Sequence, residues 1–215
     1  MAAFALAPVV DCAKAQGEVE TLICSDPSLG TLDRRLDEVY RAATAKAAGE
    51  VATRLRTEQR GWVTGRNDYW KATDKTWMTA SWTVHTVKAC IEAQYRPRTS
   101  ELQSVWRLVS EKTVLYACQD NPANEVVANV FETDPATIRL ERGNRTVTMW
   151  LVRDGRPGYY EGQNVSLVHK GNEVTVNWLN TATGQSEEMQ CRVRSARSVA
   201  SLRADPRFPA LMAEG

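Results

Sequence analysis

The residues best suited to chemistry sit in one short stretch of the second half of the chain. Arg153-Asp154-Gly155-Arg156-Pro157-Gly158-Tyr159-Tyr160 combines two Arg, two Tyr, two Gly and a Pro. Arg and Tyr are the side chains most often found anchoring protein interfaces, while Gly and Pro shape protruding loops. Ten residues after Tyr160 comes Lys170, at the tip of an expected hairpin. A protruding pair of cations, Arg156 and Lys170, suits an acidic cleft. The remaining candidates are weaker. Glu187-Glu188 reads as a solvated strand edge, and His85 and His169 lie in different halves, so no His dyad arises within a motif. No GxSxG, Walker loop, GxGxxG, CxxC or HxxxH occurs, which argues against a metal centre or a bound cofactor. An enzyme is therefore the least favoured class.

Two different periodicities must hold this loop in place. In the first half, Leu29, Leu32, Leu36, Val39, Tyr40, Ala43 and Ala47 recur at spacings of three and four, the mark of an amphipathic helix. Ser25 is the expected N-cap, Pro27 suits the first turn, and Gly49 is the expected end. A second helix, about 51–70, should turn Val51, Leu55, Trp62 and Val63 inward and pack antiparallel on the first. A third, about 84–105, carries Val84, Val87, Ile91, Tyr95 and Leu102, with Pro97 expected to kink or interrupt it. The link 69–83, with Trp70, Trp77 and Trp82, shows no clear period.

The second half alternates with period two: Val114, Tyr116, Cys118; Ile138, Leu140; Val147, Met149, Leu151; Val165, Leu167, His169; Val174, Val176, Trp178; Met189, Cys191, Val193. Gly143-Asn144, Lys170-Gly171-Asn172 and the stretch from Asn180 to Gln185 are turns. The fold class is α+β, an N-terminal helical domain over 11–105 followed by a small antiparallel β-barrel over 112–194, with a frayed tail after Ser195. Cys118 and Cys191, near the two ends of the alternating region, read as a bridge. Closing a loop of about 70 residues would contribute roughly 4 kcal/mol in the chain-entropy account.

Composition narrows the partners. Across 215 residues, 27 Lys+Arg balance 26 Asp+Glu, a net charge of +1, and neither half carries an excess. Nucleic-acid and membrane-surface binding normally need a basic excess. Mean hydropathy is −0.41, and no apolar run approaches the length of a membrane span. The first ten residues are apolar, and Ala5-Leu6-Ala7 has the shape of a leader-peptidase site. The expectation is an exported, periplasmic protein whose leader has been removed. Asp11 before Cys12 is unlike the small residue that precedes a lipidated Cys.

Tyr116-Ala117-Cys118, the run from Phe131 to Gly155, the run from Tyr160 to Val176, and Cys191-Arg192 resemble the membrane-bound inhibitor of c-type lysozyme family, MliC. That resemblance covers about 112–194. It implies a small disulfide-closed barrel in which a Ser of an SGxxY segment and the Lys of a KG turn enter the lysozyme cleft and meet its two catalytic carboxyl groups. Lys170 matches the Lys. Arg156 and Pro157 stand where the family has Ser and Gly, and Val168 where it has Trp. The resemblance thus assigns lysozyme binding to Arg156, Tyr159, Tyr160 and Lys170, with the Arg implying a retargeted contact in preference to a lost one.

Asp11-Cys12-Ala13-Lys14-Ala15, Glu20 to Pro27, Leu32-Asp33, Tyr40, Gln59-Arg60-Gly61-Trp62, Arg66-Asn67, Cys90, Tyr95 and Arg98 resemble the LprI N-terminal domain, over about 11–104. Some members of that family are associated with lysozyme inhibition. The resemblance pairs Cys12 with Cys24, with Cys90–Cys24 as second choice; position 69, where the family places a further Cys, is Tyr. Together the two resemblances imply an inhibitor that blocks the cleft of a lysozyme or another muramidase. The alternative is an envelope binding or immunity protein for a different partner.

Overall fold

The computed structural model describes residues 9–68, 86–153, 155–181 and 183–198. The chain divides into two compact units, Met1–Leu108 and Val109–Gly215. The first contains four helices: α1 (Gly17–Ser25), α2 (Pro27–Lys46), α3 (Gly49–Asp68) and α4 (Val87–Val105). The second contains eight strands: β1 (Glu111–Cys118), β2 (Asn121–Phe131), β3 (Thr137–Arg142), β4 (Arg145–Leu151), β5 (Tyr159–Gly162), β6 (Val165–Lys170), β7 (Glu173–Asn180) and β8 (Gln185–Ser198). The architecture is α+β, as the two periodicities require. Val84, the Trp-bearing link and the tail beyond Ser198 lie outside the described residues.

In the helical unit, Leu29, Leu36, Val39 and Ala43 of α2 are buried with Val19 and Ile23 of α1, Leu55 of α3, and Ile91, Tyr95 and Leu102 of α4. Each fully buried Leu or Ile contributes roughly 1.5–3 kcal/mol over leaving it exposed. Several expectations need correction. The N-cap of α2 is Asp26, not Ser25: its carboxylate accepts from the Ser28 and Leu29 amides at 2.9 and 3.2 Å, with Pro27 at the first helical position. An Asp cap satisfies two amide donors that the helix itself cannot. Gly49 does not end α2; it opens α3 with φ +55°, and Ala47 is the C-cap of α2. The closest helix partner of α2 is α4, not α3, and Val51 points outward, 45% exposed. Pro97 lies within a continuous α4.

The strands form a closed antiparallel barrel in chain order, β8 pairing back onto β1. Closure leaves the barrel without a free edge. Alternate residues point inward: Val114, Tyr116, Val126, Ala128, Ile138, Leu140, Met149, Val165, Leu167, Val174, Val176, Trp178 and Met189 make the core. The expected turns are present. Gly143-Asn144 joins β3 to β4 and Gly171-Asn172 joins β6 to β7, each Gly at φ +59°. Strand β8 continues to Ser198, pairing with Lys112, beyond the expected end near Ser195. Cys118 and Cys191 face each other across β1 and β8 and are bridged, and Cys12 is bridged to Cys24. Cys90 is a buried thiol.

Candidate functional site

Between β4 and β5, Gly158 lies against the end of β6. The Val152 amide donates to the Tyr159 carbonyl at 2.9 Å, and the His169 amide donates to the Gly158 carbonyl at 2.9 Å. Gly158 adopts φ +66°, and a Cβ there would lie 2.5 Å from the His169 carbonyl oxygen. Only glycine fits both the conformation and the approach. This contact brings the Arg156-bearing loop against the end of the strand that carries Lys170.

Strand parity then sorts the four candidate residues. Tyr159 pairs with Val168 and Tyr160 with Leu167. Leu167 is fully buried and Tyr160 packs on the barrel core, so Tyr160 points inward and Tyr159 outward. Burial raises the Tyr160 hydroxyl pKa, and burial and then the neighbouring Tyr160 push Tyr116 up to about 12. Tyr160 therefore packs beneath the face that carries Tyr159. Arg156 and Lys170 are both exposed. Lys170, two residues beyond Val168, shares the outer face with Tyr159. The Arg156 guanidinium carbon sits 3.4 Å from the centroid of the Tyr159 ring, a close cation–π stack. Nearby, Arg153 is paired with Asp134 at 2.7 Å, and Glu173 lies across the hairpin from Lys170.

The other acidic candidates are engaged. Arg142 holds Glu187 with two hydrogen bonds of 2.8 and 3.0 Å, and that bonding lowers the carboxyl's pKa. Glu188 accepts from Gln190 at 3.1 Å. His169 is half-buried and lies against Gly158; His85 lies outside the described residues. Among the described residues, no group of three or more His, Cys, Asp or Glu could hold a metal ion. No helix among them is long and apolar enough to cross a membrane.

Sequence reasoning missed a polar cluster inside the helical unit. Arg66 is only 1% exposed. It donates to the Tyr95 hydroxyl at 2.8 Å, and Tyr95 donates to Asp33 at 2.7 Å. Asp33 also accepts from the Val10 amide at 2.8 Å, and Arg66 stacks against the rings of Trp62 and Tyr95. Burial pushes both Asp33 and Tyr95 upward in pKa. The available signal was that Asp33, Trp62, Arg66 and Tyr95 all fell within the segments carrying the LprI resemblance.

Comparison with known proteins agrees with this division. The family model described as Lysozyme inhibitor LprI matches residues 12–102, and that described as Membrane-bound lysozyme-inhibitor of c-type lysozyme matches residues 116–185. The chain is similar to proteins named Lipoprotein LprI from Mycobacterium tuberculosis and Mycobacterium bovis, at 26% identity over 172 residues, 79% of this chain and 79% of theirs. No solved structure matches significantly. These matches support a lysozyme-inhibitor role, with a lysozyme as the implied partner. The chain is thus similar to the LprI family over residues 12–102 and to the MliC family over residues 116–185, in that order.

Proposed function

We propose that the protein is an exported, non-catalytic inhibitor that closes a muramidase cleft with the Arg156, Tyr159 and Lys170 surface of its barrel. The observation that carries this reading is the tandem of two lysozyme-inhibitor families in one chain. The exposed Lys170 beside the loop pinned by Gly158 supplies the contact.

Lysozyme cleaves with two carboxyl groups, one of them kept protonated by an apolar pocket so that it can act as an acid. A cation set beside that acid favours its ionised form and lowers its pKa, so the proton needed by the leaving group is lost. Lys170, a compact charge on a flexible stem, does this while the hairpin occupies the sugar site. Export to the periplasm fits the two disulfides, which persist in oxidising compartments.

A second reading, an envelope binding or immunity protein for another partner, draws on Arg156 and Pro157 replacing the MliC-like Ser and Gly. The test is lysis of cell-wall substrate by several muramidases in the presence of the purified protein. Inhibition at near-stoichiometric amounts supports the inhibitor; full activity of every muramidase tested favours the second reading.

A further inference from the structure

Resting on the inhibitor reading, we propose that Glu173 is a positioning residue that acts through Lys170. In the free protein it competes for the ammonium that a muramidase cleft must win, and Arg192 on its other side weakens that hold. The register sets the three in one row. Lys170, ending β6, lies directly opposite Glu173, which opens β7, and Glu173 lies directly opposite Arg192 of β8. Val174 and Cys191 are buried in the barrel core, so their neighbours Glu173 and Arg192 face outward, as Lys170 does. All three are exposed. Neighbouring strands run about 4.7–4.9 Å apart, so one carboxylate-bearing position stands a single strand spacing from each of two cationic ones.

The alternation of sign continues past the row, where Asp120 lies 3.7 Å from Arg192. Among the described residues, the side chains of Lys170 and Glu173 make no ion pair or hydrogen bond. Glu173 therefore attracts Lys170 without fixing it, and the ammonium can leave for a cleft that offers more. Opposite unit charges about 5 Å apart in a water-like medium attract by an amount worth on the order of threefold in an equilibrium. Docking Lys170 against a target's carboxyl groups draws it off Glu173, so the inhibitor forgoes that factor on binding. Arg192 gives Glu173 a second cation, and a smaller share of its attraction falls on Lys170. Glu173 thus keeps the ammonium over the outer face and limits inhibition to clefts acidic enough to out-compete one carboxylate.

Inhibition constants of the full-length protein, Glu173→Gln, Arg192→Gln and the double variant test this, measured against a c-type lysozyme and a muramidase of another class at low and high salt. At low salt Glu173→Gln should tighten inhibition on the order of threefold. The factor should be similar for each enzyme the parent inhibits, since the competition lies in the free protein. Arg192→Gln should weaken inhibition, and should weaken it less in the Glu173→Gln background. At about 0.5 M salt these differences should vanish, because exposed charges are screened. Weaker or unchanged inhibition by Glu173→Gln at low salt, or additive effects of the two substitutions, overturns the proposal. If Lys170→Ala still abolishes inhibition in that case, the inhibitor reading stands without this one. If the parent inhibits neither enzyme, both fall.

Discussion

Gly158 lies so close to His169 that a side chain on it would meet the His169 carbonyl oxygen at 2.5 Å. The glycine also sits at φ +66°. Gly155, in the same loop, has φ +91° but nothing within 4 Å of its would-be Cβ. Gly155→Ala should therefore cost only the conformational penalty, about 1–2 kcal/mol. Gly158→Ala adds a backbone clash, so urea denaturation should show a larger loss, and the Arg156 loop should shift away from β6. Equal losses for the two variants would mean that the loop is not held at Gly158.

The bridge between Cys118 and Cys191 spans 73 residues and ties the first barrel strand to the last. Replacing both with Ser should destabilise the protein by about 4 kcal/mol in the chain-entropy account, against about 3 kcal/mol for the shorter Cys12–Cys24 loop. Denaturation of the two double variants measures this, and non-reducing peptide mapping should recover both cross-linked pairs. A pair containing Cys90 would contradict the assignment.

The helical unit depends on Arg66, whose buried charge faces Asp33 at 3.5 Å with Tyr95 bridging the two. Removing one partner of a buried pair leaves the other charge uncompensated, so Arg66→Ala should cost about 3–5 kcal/mol. Tyr95→Phe deletes one hydroxyl and should cost about 1–3 kcal/mol. Thermal denaturation of the single and double variants should show effects that are not additive, since the residues share one network.

The sequence made some of these relationships legible and concealed others for physical reasons. Alternation exposed the core faces of β1, β3, β6 and β7, because a closed barrel buries one side of every strand. Strand β2 is weakly marked in the sequence: its start, Asn121 to Glu125, is polar and contains Pro122, and only Val126, Ala128 and Val130 carry the pattern. Helix α1 was hidden by its length, nine residues with two buried positions, Val19 and Ile23. Arg66 looks like any surface cation until Asp33 and Tyr95, distant in sequence, are brought to it. In the candidate site, the ten-residue step from Tyr160 to Lys170 was visible. Which Tyr faces outward was not, since that depends on the pairing of β5 with Leu167 and Val168.

Titration should reveal the inward Tyr pair. Burial holds the folded Tyr116 pKa at about 12, while an unfolded Tyr ionises near 10. Below about pH 10 both states are protonated and this group contributes no pH dependence. Between about 10 and 12 the unfolded chain loses the proton first, so stability falls as pH rises. Ultraviolet titration should show late Tyr ionisation that Tyr116→Phe removes, together with a shallower loss of stability across that window. Ionisation of every Tyr near 10 in the folded protein would contradict the buried placement.

The central claim is tested most directly by Lys170→Ala in the full-length protein, assayed against every muramidase that the parent inhibits. Lys170 is exposed at a hairpin end, so its removal should change folding stability by no more than about 0.5 kcal/mol. Binding should weaken by roughly 2–5 kcal/mol, the range for truncating one partner of a buried charge pair. Inhibition left intact by Lys170→Ala would contradict the account and move the inhibitory surface elsewhere, with the LprI-like helical unit the next place to look.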